Sequence, residues 1–199
     1  VPLSVVAEAK RRGLTTIDAT CPLVEKVHRE ARKNFEQGRK TLLIGHQGHP
    51  EVIGTMGQIP AGEIKLISTV DDISTVPDAW ADRLGYVTQT TLSLDETAEL
   101  LQALRARFPN ILKPHQNDIC YATTNRQKAV KAIAAKCDLL MVIGSPNSSN
   151  SKRLVEVAKE AGCPCSVLVQ TAGEIDWDKL ADVRTLGITA GASAPEVLV

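Results

Sequence analysis

Aromatic residues are scarce, at 3% of 199 positions, so the chain offers few flat rings on which single-stranded bases or sugars could stack. Neither sign of charge is in excess. Lys+Arg and Asp+Glu each number 23, giving no basic field to draw a phosphate backbone and no acidic tail. Nucleic acid is therefore not an expected partner. The apolar runs are too short to span a bilayer, and the first residues lack the charged start and long apolar stretch of a secretory signal. The expectation is a cytoplasmic protein with no membrane contact. Neither a Walker lysine motif nor a G-x-G-x-x-G fingerprint is present, which argues against nucleoside triphosphates and dinucleotides. Cys21, Cys120, Cys137, Cys163 and Cys165 form an odd set that suits a reducing compartment better than a disulfide framework, so a thiol with a task is a metal ligand or a nucleophile.

What is there is a hydrophobic content of 43%, enough to build one large core or two small ones. Apolar runs of strand length recur at Thr15 to Ile17, Leu42 to Ile44, Ile64 to Ile67, Leu84 to Val87, Leu139 to Ile143, Val167 to Val169 and Leu186 to Ile188. Helical spacing follows many of them: Leu23, Val24, Val27, Ala31 and Phe35 share one face with Gly38 as the stop, and Leu154, Val155 and Ala158 with Gly162 repeat the device. Alternation of this kind predicts an α/β protein of two lobes with mainly parallel sheets flanked by helices. The lobes are expected over 18–115 and 116–199, with a turn-rich boundary near Pro109 to Asn117. Residues 1–17 read as a remnant: Ser4 to Arg12 is helical and stopped by Gly13, with no strand before it, so the chain is expected to begin in the middle of a unit.

Five turns of small and polar residues link a strand to a helix: DATCP at 18–22, GHQGHPE at 45–51, TQTTLS at 88–93, GSPNSSNS at 144–151 and TAGASAP at 189–195. In open α/β folds ligands bind beyond the carboxyl ends of the strands, where helix N–H groups and the positive dipole end collect anions. Cys21 and Cys120 each stand just before a helix, a position that favours negative charge on sulfur. The alternative for each is a buried cysteine that fills space. Cys137 falls at a helix end and reads as core, while Cys163 and Cys165 flank a proline without a companion pair that would complete a metal site. His46, His49 and Glu51 can supply an anion contact, a proton donor or a zinc site, or form a plain solvent-facing loop. His28, on a helix, and His115 carry no such context. Thr90, Thr91, Ser93, Ser148, Ser149, Asn150 and Ser193 are helix-capping types that can also hold phosphate oxygens.

In this order and spacing, DATCPLVEKVH, IGHQGHPEVIGTMGQ, VTQTTLS, DICYATTNRQ, GSPNSSNS and TAGASAPEVLV closely resemble the 4-hydroxy-3-methylbut-2-enyl diphosphate reductase (LytB) family over nearly the whole chain. The resemblance implies a three-lobed pseudo-threefold architecture around a 4Fe-4S cluster held by three cysteines, with one iron open to the substrate. It implies reduction of an allylic diphosphate to isopentenyl and dimethylallyl diphosphates in the non-mevalonate isoprenoid pathway, with a ferredoxin- or flavodoxin-like electron donor.

Carried over by position, Cys21 and Cys120 match the second and third cluster ligands. His49 would contact the diphosphate, and Glu51 would deliver the proton that lets the allylic hydroxyl leave as water. Thr90 would lie beside that hydroxyl, and Asn125 would support the proton network. Ser148, Ser149, Asn150 and Ser193 would wrap the diphosphate. The family's first cysteine ligand and two further histidines belong to a lobe that this sequence does not contain, so the chain alone is expected to be inactive unless Cys163 or Cys165 substitutes. Two other readings stand beside this one: an inactive fragment that only binds diphosphate or another chain, and a zinc hydrolase built on His46, His49 and Glu51.

Overall fold

The computed structural model describes residues 1–195 and 197. Glu196, Leu198 and Val199, on which the end of the TAGASAPEVLV motif and its expected helix fall, lie outside the described residues. The backbone divides into two compact units, one of residues 1–90 and 94–119, the other of 91–93 and 120–199.

The first unit contains α1 (Leu3–Arg11), α2 (Pro22–Glu36), β1 (Lys40–Ile44), α3 (Pro50–Met56), β2 (Ile64–Ile67), β3 (Leu84–Thr88) and α4 (Leu94–Arg107). Its sheet is parallel in the order β2-β1-β3. β1 lies in the middle, so its KTLLI run must be apolar on both faces, and Leu42, Leu43 and Ile44 are all buried. Val27 on α2 and Val52 on α3 pack with Leu43, Ile64 and Val87 as the core. Pro22 at the first turn opens α2, and Gly38 closes it with φ +68°, a left-handed conformation that glycine adopts without steric cost. The outer edge of β3 is covered by Leu112, whose N–H and C=O bond to Leu84 and Tyr86.

The second unit contains α5 (Tyr121–Ala134), β4 (Leu139–Ile143), α6 (Ser149–Glu160), β5 (Cys165–Val169) and β6 (Leu186–Ala190). Its sheet is parallel in the order β5-β4-β6. Val130 and Ala134 of α5 and Leu154, Val157 and Ala158 of α6 bury against Leu140 and Val142, together with Cys137 and Cys163. Those two cysteines are core side chains: the Cys163 thiol is satisfied by the Cys165 and Cys137 carbonyls, and the Cys137 thiol by that of Ile133.

The expected α/β class with parallel sheets flanked by helices is what the chain forms. Three local expectations are corrected. Thr15 to Ile17 is not a strand, and Ile17 is 91% exposed: no described strand pairs with it, and an unpaired segment gains no ladder. DATCP therefore follows irregular chain rather than a strand. Phe35, at 38% exposed, leaves the buried face of α2, which is instead completed by His28 and Asn34; the Asn34 amide closes over Gly85, where a Cβ would come within 2.9 Å of it.

Candidate active site

In each sheet the chain runs from the central strand to one neighbour and then crosses to the other. The crevice between β1 and β3, and that between β4 and β6, is thus a topological switch point, the place where open α/β sheets hold ligands.

Beyond β1 the chain turns through Gly48, at φ +80°, and enters α3 at Pro50. His49 caps this helix, its Nδ1 accepting the Glu51 N–H at 3.1 Å. The neutral ring must then carry its proton on Nε2, leaving that atom as a donor. Burial pushes the His49 pKa below its ordinary value, and neighbouring His46 adds to the effect.

Glu51 turns its carboxyl across the crevice to the chain leaving β3. Its Oε1 accepts the Thr90 N–H at 2.7 Å and its Oε2 the Thr90 hydroxyl at 3.0 Å. Burial pushes the Glu51 pKa up to about 7, against the pull of the two Thr90 hydrogen bonds, and the charge of Asp118 adds to the rise. A carboxyl so placed is populated in both protonation states at neutral pH, as a group that must give and take protons requires.

Asp118, 1% exposed, supports this turn from behind. Its Oδ2 accepts the N–H of Thr88, the last residue of β3, at 2.8 Å, and its Oδ1 accepts from the Lys26 ammonium at 2.5 Å. Lys26 also pairs with Glu30 at 2.9 Å and donates to the Gln116 carbonyl. Burial pushes the Asp118 carboxyl above its ordinary range even with Lys26 beside it. Fully buried Gln89 accepts the His46 N–H at 3.0 Å, tying the two turns together.

In the second unit Ser148 caps α6 by accepting the Ser151 N–H at 3.2 Å, and Ser149 accepts the Thr91 hydroxyl at 2.9 Å. Asn150 is buried; its Nδ2 donates to Thr123 Oγ1 at 3.2 Å and its Oδ1 accepts the Ala192 N–H at 2.8 Å. Ser193 is exposed in the turn after β6, and Asn125 is exposed on α5. Gln127 donates to the Leu92 carbonyl at 2.8 Å, and Arg126 to the Ala190 carbonyl at the end of β6.

Cys21 and Cys120 hold the same place on their helices. Each is the N-cap residue in an extended backbone conformation, and neither thiol makes a capping bond. Cys21 is exposed and Cys120 half-buried. Among the described residues no group of three or more His, Cys, Asp or Glu side chains is assembled for a metal ion. The zinc reading of His46, His49 and Glu51 is therefore corrected: Glu51 is turned onto Thr90, and Nδ1 of His49 is spent on the helix cap.

The sequence thus brings Glu51 to Thr90 and Asn150 to the turn before Ser193, while Lys26, Gln89, Asp118, Thr123 and Ser151 escaped attention. All five sit inside the quoted motifs, but nothing in the sequence pairs Lys26 with Asp118 across 92 positions.

The family model described as LytB protein matches residues 1–199. A 4-hydroxy-3-methylbut-2-enyl diphosphate reductase of Ruegeria pomeroyi is 57% identical over all 199 residues, which cover 63% of that protein. One from Rhizobium rhizogenes is 59% identical, with 59% of its length covered. Among solved structures, the E-1-hydroxy-2-methyl-but-2-enyl-4-diphosphate reductase from Plasmodium falciparum superposes with a TM-score of 0.93 at 39% identity, over 100% of this chain and 62% of that one. The chain thus spans roughly three fifths of the relatives it matches. With a family match over its full length and this likeness in backbone, the chain belongs to the LytB protein family.

Proposed function

We propose that this chain carries the proton-delivering and diphosphate-holding part of a 4-hydroxy-3-methylbut-2-enyl diphosphate reductase. The observation that carries the reading is the Glu51–Thr90 pair: a carboxyl with a pKa near 7 locked onto a hydroxyl at the sheet's switch point.

The net reaction replaces the allylic C–OH by C–H, consuming two electrons and two protons and releasing water. An iron-sulfur cluster, when bound, would supply the electrons. Cys21 and Cys120 are the thiolates this chain offers to it, and both fit that use in type: unbonded, on helix N-termini, at least part exposed. Protonated Glu51 donates to Thr90 Oγ1, which frees the Thr90 O–H to donate to the leaving hydroxyl. As that proton departs, the carboxyl proton follows onto Thr90, and the Thr90 N–H keeps the carboxylate in place. His49, neutral and with Nε2–H free to donate, meets one diphosphate oxygen without needing to titrate. Ser148, Ser149, Asn150 and Ser193 add uncharged donors, and Asn125 would support the proton network. The electron donor would be a ferredoxin- or flavodoxin-like protein, and the setting the cytoplasm.

The second reading is a fragment that binds only the diphosphate, or another chain, without a cluster. Reconstitution with iron and sulfide under anaerobic conditions separates the two. The first reading predicts a substoichiometric, air-labile cluster that is lost in both Cys21→Ser and Cys120→Ser, and calorimetric binding of the allylic diphosphate. Diphosphate binding with no iron uptake supports the second reading; iron uptake indifferent to both cysteines contradicts the first.

A further inference from the structure

Ser151 lies in α6 next to Asn150, is fully buried, and its hydroxyl has no hydrogen-bond partner. An orphaned buried hydroxyl is costly, so polarity does not explain its place. Its shape does. A Cβ on Gly144, the first residue after β4, would fall 2.2 Å from Ser151 Oγ, and one on Gly191, the first residue after β6, would fall 2.1 Å from it. Neither glycine has a positive φ, so backbone conformation does not demand glycine at either position. Both are glycine because Ser151 occupies the space between the two turns.

The first unit repeats the contact on its central-strand side only, with an apolar residue, the position after β3 being Gln89 rather than glycine. Val52 stands eight positions beyond Ile44, as Ser151 stands eight beyond Ile143, and a Cβ on Gly45 would meet Val52 Cγ2 at 2.6 Å. Two independent occurrences at one register position, one hydroxyl and one methyl, mark a spacer.

We propose that Ser151 is a positioning residue for diphosphate binding: wedged between Gly144 and Gly191, it sets the spacing of the turn bearing Ser148 and Ser149 against the turn bearing Ser193. The Asn150–Ala192 hydrogen bond draws the two turns together, and Ser151 limits how close they come. This rests on the diphosphate reading above, but the wedge itself can be tested without it.

The test uses the full chain and two measurements: calorimetric affinity for inorganic pyrophosphate, and hydrogen exchange at the Ala192 amide, which is protected by Asn150. Gly191→Ala and Ser151→Thr each overfill the nest and are expected to weaken pyrophosphate binding by roughly tenfold or more, as small misplacements of binding groups do, and to speed Ala192 exchange. In the Ser151→Ala/Gly191→Ala double variant the new methyl takes the space that Oγ leaves, so affinity and protection return to within about threefold of the parent, a strong coupling between the two sites. A double variant no better than Gly191→Ala, or single variants that exchange like the parent, overturns the proposal. If the parent takes no pyrophosphate, the functional reading fails, and the exchange measurement still decides the wedge.

Discussion

Glu51 and Asn150 occupy the same position in two copies of one device. Each stands seven residues beyond the end of a central strand, and each accepts, through a side-chain oxygen, the backbone N–H two residues beyond the end of the third strand: Thr90 at 2.7 Å for Glu51, Ala192 at 2.8 Å for Asn150. The repeat gives the GHQGHPE and GSPNSSNS turns the same place in their respective units. It also shows what differs, since the first copy places a titratable carboxyl where the second places a neutral amide.

The raised pKa of Glu51 makes the fold's stability pH-dependent with a definite sign. A carboxyl that titrates near 7 when folded and near 4.5 when unfolded binds its proton more tightly in the native state, so its contribution is full below about 4.5 and is lost as pH rises through about 7. Glu51→Gln removes this loss. Thermal unfolding of the variant should match the parent closely at pH 5 and exceed it at pH 8, by on the order of 2 kcal/mol. A parent more stable than the variant at pH 8 would count against a buried, proton-holding Glu51.

Lys26, half-buried, is the counter-charge of the buried Asp118 carboxyl. Lys26→Met leaves Asp118 without its counter-charge and should cost about 3–5 kcal/mol in urea unfolding. The double variant Lys26→Met/Asp118→Leu should recover part of that loss. If Lys26→Met unfolds at the parent's midpoint, the pair does not hold the end of β3.

His49 is cast as a neutral donor, its pKa pushed below the ordinary histidine value by burial. His49→Ala should therefore weaken pyrophosphate binding by a similar factor, roughly tenfold for a lost donor to a charged group, at pH 7 and at pH 8.5. A deficit that disappears at the higher pH would mean that the parent binds through a charged imidazolium.

Much of the fold is legible in the sequence because its signals are local. The apolar runs at β1 to β6, the proline that opens α2 and the glycines that close α2 and α6 each act within a few residues. Thr15 to Ile17 misleads for the opposite reason: its composition suits a strand, but a strand exists only when paired. The candidate site divides in the same way. Glu51 and Thr90 are visible as turn residues beyond strand ends, and the switch-point rule points to both. The Lys26–Asp118 pair and the Ser151 wedge depend on packing between distant segments. A buried serine in a run of serines carries no mark of being the one that two glycines close upon.

The most direct test of the account is the titration of the Glu51 side chain itself, followed by the carbon-13 shift of its carboxyl in the full chain from pH 4 to pH 9. The account predicts a midpoint near 7, moved back toward ordinary carboxyl values when Glu51 is exposed by unfolding in urea. A native midpoint close to 4.5 would leave Glu51 ionised throughout the neutral range and would remove it as the proton donor.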